Sequence, residues 1–264
     1  MNTLQSNMLN PKHYLKDGMN ERIFLQTYFS TSGETPFGKD TLISIMEKLH
    51  EALGAGNFKG DLAYDFSFGS IMHHLYAINN HYKKITIMKL HESCILELNK
   101  WLAVCSGAFD WTQAHNCAKE LEGTSCQEDL NMEDKLKNSI TGIMKFDLMA
   151  NPTGLEVLKQ ASCMITAWLL DVISKDKSDY VKNFRCMTEV LRPGGLLIII
   201  GCLDTSYFKV GEKTYHVCTY NESFLRQHLA NEGYKISTCK VLDRTTQSDL
   251  TDYEQFIIVT AIKK

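Results

Sequence analysis

Apolar positions first fall at helical spacing in the segment that opens at Thr41. Leu42, Met46, Leu49 and Leu53 stand four, three and four residues apart, and Gly54 and Gly56 end the stripe. From there strand and helix patterns alternate. Residues 62–66 make a strand-sized run, 71–79 a helical pattern, 85–90 a second strand, and 92–104 a helix with Ile95, Leu98 and Leu102 on one face. Further along, 162–170 predicts a longer strand and 180–191 a helix. The breaker Arg192-Pro193-Gly194-Gly195 then sets off a buried strand at 196–200. Residues 204–220 read as a hairpin turning at Gly211-Glu212-Lys213. Asn221 caps a last helix to about residue 231, and 235–242 and 255–262 close the chain as strands.

Two stretches break this rhythm. Residues 1–37 carry no clear periodicity and hold Pro11 and Pro36, so they read as an arm or lid that packs on something else. Residues 118–145 are polar and charged, with an amphipathic tail at Leu136, Ile140 and Ile143, and read as an insertion; a short strand is expected at 145–148. Strands alternating with helices predict an α/β fold, a doubly wound and mostly parallel sheet in one domain, with an antiparallel edge. Such sheets bind ligands beyond the carboxyl ends of their strands, where strand order reverses. Asp65 and the loop Phe66-Ser67-Phe68-Gly69-Ser70 belong at that place.

Composition narrows the partners. With 264 residues the chain can bury a substantial core, and 44% hydrophobic against 22% charged residues is the balance of an ordinary soluble globular protein. A net charge of -3 gives no electrostatic footprint for nucleic acid or an anionic membrane. No apolar run reaches the length of a membrane span, and the first residues do not pattern as a signal peptide. Nine cysteines, scattered and never spaced as C-x-x-C, read as reduced thiols in a cytoplasmic protein with no metal site. The chain is expected to act as a monomer on a small molecule.

The loop after the first strand has one glycine, Gly69, where nucleotide-type folds usually carry two or three. A cofactor lies against bare backbone only where no Cβ intervenes, and Ser67 and Phe68 fill that place. Other apparent motifs lose their mechanism. Gly54-Ala55-Gly56-Asn57-Phe58-Lys59-Gly60 has the wrong spacing for a dinucleotide fingerprint and precedes a strand, which argues against a nicotinamide-cofactor reductase. His91-Glu92 lacks the second histidine of a zinc-protease helix, because the fifth position is Ile95. His73 and His74 are consecutive, cannot share a helix face, and read as solvated or ring-packing. At the end of the second strand, Ile87-Met88-Lys89-Leu90 presents a cation where nucleotide folds place a carboxylate for the ribose; Lys89 reads as a solvated strand end.

Several landmarks occur in one order: Asn10-Pro11-Lys12-His13-Tyr14-Leu15, Lys59-Gly60-Asp61-Leu62, Leu98-Asn99-Lys100-Trp101-Leu102, Ala108-Phe109-Asp110-Trp111, Leu121-Glu122-Gly123, Leu191-Arg192-Pro193-Gly194-Gly195 and Ser206-Tyr207. On these the chain resembles the small-molecule N-methyltransferases that use S-adenosylmethionine, the nicotinamide, indolethylamine and phenylethanolamine enzymes, over nearly its whole length. The resemblance implies a class I methyltransferase, a Rossmann-like sheet of seven strands with an N-terminal lid. It also implies methyl transfer from S-adenosylmethionine to the nitrogen of a small amine or pyridine. Tyr14 of the lid, Asp65, Ser67, Phe68 and Gly69 of the first loop, and Asp147 with Leu148 on the adenine side are thereby expected to face the cofactor. Asp171 is expected near the methyl-transfer centre, toward the substrate. In-line methyl transfer rests largely on positioning, and no residue stands out as its acid or base.

Measured against that family's pattern, D-x-G-x-G-P, the loop here reads Asp65-Phe66-Ser67-Phe68-Gly69-Ser70. The ribose-binding aspartate is Lys89, the asparagine a turn later is Cys94, and a carboxylate that orients substrate in the nicotinamide enzyme is Gly201. Losing one carboxylate–ribose contact costs about 1.5–3 kcal/mol. Two outcomes stay open: an N-methyltransferase with a partly degenerate cofactor site, and a catalytically inactive relative that binds a small molecule or a protein partner.

Overall fold

In the computed structural model, which describes residues 8–30, 37–123, 132–150 and 153–264, the apolar runs gather into one sheet. The strands are β1 (Gly60–Asp65), β2 (Tyr82–Lys89), β3 (Ile140–Lys145), β4 (Ala161–Ala167) and β5 (Leu191–Leu203), then the hairpin β6 (Tyr207–Val210) and β7 (Lys213–His216), then β8 (Tyr234–Asp243) and β9 (Gln255–Lys263). Seven form the sheet, in the order β3-β2-β1-β4-β5-β9-β8, with the hairpin apart. β1 to β5 run parallel, and β9 is antiparallel to both β5 and β8. Strand order reverses between β1 and β4, so the loop after β1 opens at the switch point.

The middles of β4 and β5 are apolar because both their faces are covered, and Cys163, Ile165, Leu197 and Ile198 are fully buried. Edge strands carry a weaker signal, which explains two departures from expectation. The second half of 118–145 is no insertion: it holds a helix, Met132–Ser139, and β3, which pairs with β2 from Ile87↔Ile143 to Lys89↔Lys145. β3 is half exposed, so Ile140 and Ile143 read as the stripe of a helix, and 145–148 begins only at the strand's last residue. At β5 the expected breaker lies inside the strand. Leu191 pairs with Ala161 and Leu196 with Cys163, leaving residues 192–195 bulged out, with Gly194 at φ +72°.

The arm contains two short helices, α1 (Pro11–Asp17) and α2 (Glu21–Phe29). Asn10 caps α1 by accepting from the Lys12 N–H, with Pro11 at the first position; Asn20 caps α2 through the Ile23 N–H. Helices this short are not stable alone. Backbone bonds between Leu9 and the hairpin (2.8 Å to Thr214, 2.9 Å from His216) hold the arm, and Phe24, Leu25, Tyr28 and Phe29 bury it. The Leu42 stripe follows as a π-helical turn, Lys39–Ser44, running into α3 (Ile45–Gly54), with all four stripe residues buried. Beyond β1 the helical pattern of 71–79 forms only as α4 (Leu75–Asn79). After β2 comes α5 (Glu92–Leu102), then α6 (Thr112–Glu122) and α7 (Met132–Ser139). β4 stops at Ala167, short of the expected 170, because Trp168 turns the chain at φ +58° into α8 (Leu169–Ile173). Two further helices are α9 (Lys177–Thr188) and α10 (Glu222–Asn231), the last capped by Asn221 as expected.

Candidate functional site

β1 delivers Asp65 to the carboxyl edge of the sheet, where it is fully buried. Its Oδ1 accepts from the Ser67 N–H (3.2 Å) and the Ser67 hydroxyl (2.5 Å), and His74 Nε2 lies 2.8 Å away. Its Oδ2 faces the Lys89 ammonium at 3.4 Å, and Lys89 also donates to the Ser67 carbonyl at 2.8 Å. Lys89 is 2% exposed, not the solvated strand end its sequence position suggested. The cause lies in the neighbouring strand: Ile87 is the register partner of Asp65, so β2 brings Lys89 alongside a buried carboxylate. A buried lysine persists only with such a counter-charge. Burial alone raises an acid, but the Lys89 charge and the His74 ring, with the Ser67 hydroxyl, hold Asp65 well below the usual carboxylate range. His73 is a ring-packing residue, set among Phe29, Trp111 and Trp168.

The lid covers the rest of the loop. Glu21, the first residue of α2, accepts at Oε2 from the Ser70 N–H and hydroxyl, both at 2.9 Å, and at Oε1 from the Cys94 thiol at 3.2 Å. Burial raises the Glu21 pKa, against the pull of those donors and of the Lys89 charge. The Phe68 ring turns into the lid and packs on Tyr14 (4.9 Å between centroids), Phe24 (5.1 Å) and Phe208 (5.5 Å). Gly69 sits at φ +57°, and a Cβ there would stand 2.9 Å from the Phe24 ring and 3.0 Å from Glu21. Ser67, Ser70, Lys89 and Cys94, four of the positions that depart from the resemblance, therefore all bond to the chain's own groups.

A cavity lies beyond the ends of β4 and β5. It has a volume of about 70 Å³, and Phe24, Tyr28 and Phe29 of α2, Phe68, Trp168 and Asp171 are among its walls. Asp171 sits on the first turn of α8 and is 2% exposed. Its Oδ2 accepts the Cys202 N–H and its Oδ1 the Tyr220 hydroxyl, each at 3.0 Å. Without a cationic partner among the described residues, burial pushes its pKa up to about 7 in spite of both hydrogen bonds.

The expected residues thus divide. Tyr14, Asp65, Ser67, Phe68 and Gly69 come together at the loop, Tyr14 buried between Phe68 and His91. Asp147 follows Phe146, whose N–H donates to the Lys89 carbonyl at 3.0 Å and whose ring packs on Phe66. Asp147 itself is exposed and caps its own turn by accepting the Met149 N–H at 2.8 Å, with Leu148 half-buried beside it. Asp171 stands at the cavity. Sequence reasoning missed Glu21, His74 and Tyr220. For His74 a signal existed, since it lies between Met72 and Leu75 in an apolar stretch; Glu21 and Tyr220 have none.

Residues 6–264 match the model of the NNMT/PNMT/TEMT family. The nicotinamide N-methyltransferase of Homo sapiens is 25% identical over 245 residues, 92% of each chain. The indolethylamine N-methyltransferase of Oryctolagus cuniculus is 30% identical over 227 residues, 85% of this chain and 84% of its own. A solved magnesium protoporphyrin IX methyltransferase from Synechocystis PCC 6803, with bound SAH, aligns at a TM-score of 0.53 and 10% identity over 96% of this chain and 97% of its own. That last likeness is of fold, and it agrees with the seven-stranded, mostly parallel sheet. A family match from end to end, with sequence relatives of nearly equal span, leads to one conclusion: the chain belongs to the NNMT/PNMT/TEMT family.

Proposed function

We propose that the chain is an N-methyltransferase that uses S-adenosylmethionine and acts on a small amine or pyridine held in the cavity at Asp171. The cavity carries this reading. Aromatic walls favour a flat ring and, through their faces, a cationic nitrogen, and a single carboxyl near its titration point pairs with an ammonium or accepts an N–H. The same proposal has the protein act in the cytoplasm as a monomer without nucleic-acid partners. Among the described residues no helix is long and apolar enough to cross a membrane.

Family membership makes S-adenosylmethionine the cofactor, and a solved structure of this fold names it as bound. Tyr14, Asp65, Ser67, Phe68 and Gly69, with Asp147 and Leu148, are the residues proposed to hold it. In the arrangement the chain adopts they do not fit it. Lys89 already pairs with Asp65, Glu21 already takes the Ser70 N–H, and Phe68 fills the space over the loop with the rings of the lid. Entry of the cofactor requires the Glu21 and Phe68 contacts to part. The same observation favours a second reading, a catalytically silent relative that binds a small molecule or a protein partner.

Two measurements decide between them. One is thermal unfolding with S-adenosylhomocysteine, whose binding to the folded state must stabilise it by RT ln(1 + [L]/Kd). The other is transfer of a labelled methyl group to nicotinamide, an indolethylamine or phenylethanolamine. Labelled product with any acceptor establishes the enzyme. Neither product nor stabilisation, at concentrations that stabilise nicotinamide N-methyltransferase, establishes the silent relative.

A further inference from the structure

Behind Asp171, one position has its side chain supplied from elsewhere in the chain. A Cβ placed on Gly201 of β5 would stand 2.1 Å from the Tyr220 hydroxyl and 3.1 Å from Asp171 Oδ2. Position 201 is therefore closed to every side chain as long as residue 220 is tyrosine. The place a side chain from 201 would take, beside Asp171, is held by a phenol that reaches in from the segment before α10.

That segment is fixed at several points. The Asp204 N–H donates to the Tyr220 carbonyl, the Cys218 N–H to the Asp171 carbonyl, and the Thr219 hydroxyl to the Thr205 carbonyl, each at 2.8 Å. The Tyr220 ring packs on Tyr180 at 5.3 Å and on Phe224 at 5.9 Å. Its hydroxyl donates to one oxygen of Asp171 while the Cys202 N–H donates to the other, so the carboxyl has one orientation. The ionisable groups facing Asp171 are the Tyr180 and Tyr220 phenols and the Cys202 and Cys218 thiols. Burial raises all four, which keeps them neutral where Asp171 changes charge.

We infer that Tyr220 is a positioning residue that sets acceptor specificity, its phenol standing in for a side chain at 201 and clamping Asp171 as the single charge of the cavity. The acceptor this selects presents one basic or N–H-bearing nitrogen on a flat body, with no second charge to be met. The inference rests on the proposal that the cavity is the acceptor site.

The test moves the hydroxyl. Tyr220→Phe keeps the ring and its packing but removes the donor, and Gly201→Ser added to it returns a hydroxyl to the same place from the other side. Carbon NMR follows the Asp171 carboxyl, and calorimetry follows phenylethanolamine binding across pH. In Tyr220→Phe the Asp171 titration is expected to move to higher pH and neutral-pH affinity to fall about tenfold, and the double variant is expected to restore both. Independently, Gly201→Ala is expected to lower the melting temperature with Tyr220 in place and to be tolerated when combined with Tyr220→Phe. Unchanged titration and affinity in Tyr220→Phe, or no recovery in the double variant, overturns the clamp. Amine binding that has the same pH dependence in all three proteins overturns the clamp and leaves the acceptor site standing. A titration that moves while no amine binds the wild type overturns the acceptor site, and the specificity role with it.

Discussion

Asp65 and Asp171 lie along the same edge of one sheet, each buried near the end of a parallel strand, and their surroundings treat them in opposite ways. Asp65 has a lysine, a histidine and a serine around it and stays ionised. Asp171 has a phenol and an amide and sits near its titration point, with an aromatic-walled cavity beside it. Burial alone does not decide whether a carboxylate is structural or poised. Here the Lys89 charge, with His74 and Ser67 beside it, makes the difference. The side proposed to hold the cofactor is a set of internal bonds, while the side proposed to hold the acceptor has both space and a titratable group.

The largest test of that contrast removes the cation. Lys89→Met leaves Asp65 buried with His74 and Ser67 but no lysine, and is expected to cost about 3–5 kcal/mol in denaturant unfolding, as for one partner of a buried ion pair. A cost near zero would mean that Asp65 does not depend on it. Phe68→Ala comes next. Its ring is shared by lid, loop and cavity, so truncation is expected to cost about 3 kcal/mol and to increase protease cutting within α1 and α2. A lid as protected as in the wild type would show that the other contacts hold it unaided.

The third test is pH. Folding raises the Asp171 pKa from 3.8 to about 7, so its contribution is full below the unfolded value and is lost as pH rises through the folded one. Asp65 is depressed instead; its contribution is present above 3.8 and lost as pH falls. Stability is therefore expected to drop by about 2 kcal/mol between pH 5 and pH 7, and Asp171→Asn to flatten that slope. An unaltered slope in the variant would assign it to other groups. The smallest effect is expected from Asp147→Ala, within about 0.5 kcal/mol of wild type because the residue is exposed, with any consequence confined to S-adenosylhomocysteine affinity.

Much of the fold was legible because central strands and amphipathic helices carry strong periods, as the Leu42 stripe and the strands at β1, β2 and β9 show. β3 was not, since an edge strand buries too little to separate its isoleucines from a helical stripe. The site was legible wherever it followed from strand order. Asp65 and its loop fall at the switch point by topology alone. Lys89 was visible as an oddity, but nothing local separates a buried lysine from a solvated one; the difference is made by the partner across the sheet. Glu21 and Tyr220 act 49 residues away from Ser70 and Asp171 respectively, contacts that one-dimensional pattern does not carry.

One helix links the two halves. Phe24, Tyr28 and Phe29 of α2 form part of the cavity wall, while Glu21 at the head of the same helix fastens the loop after β1. A displacement of that helix as a body would move both the Glu21 contact and that wall. The loop after β1 and the cavity therefore share one nine-residue wall, and the two are not mechanically separate compartments.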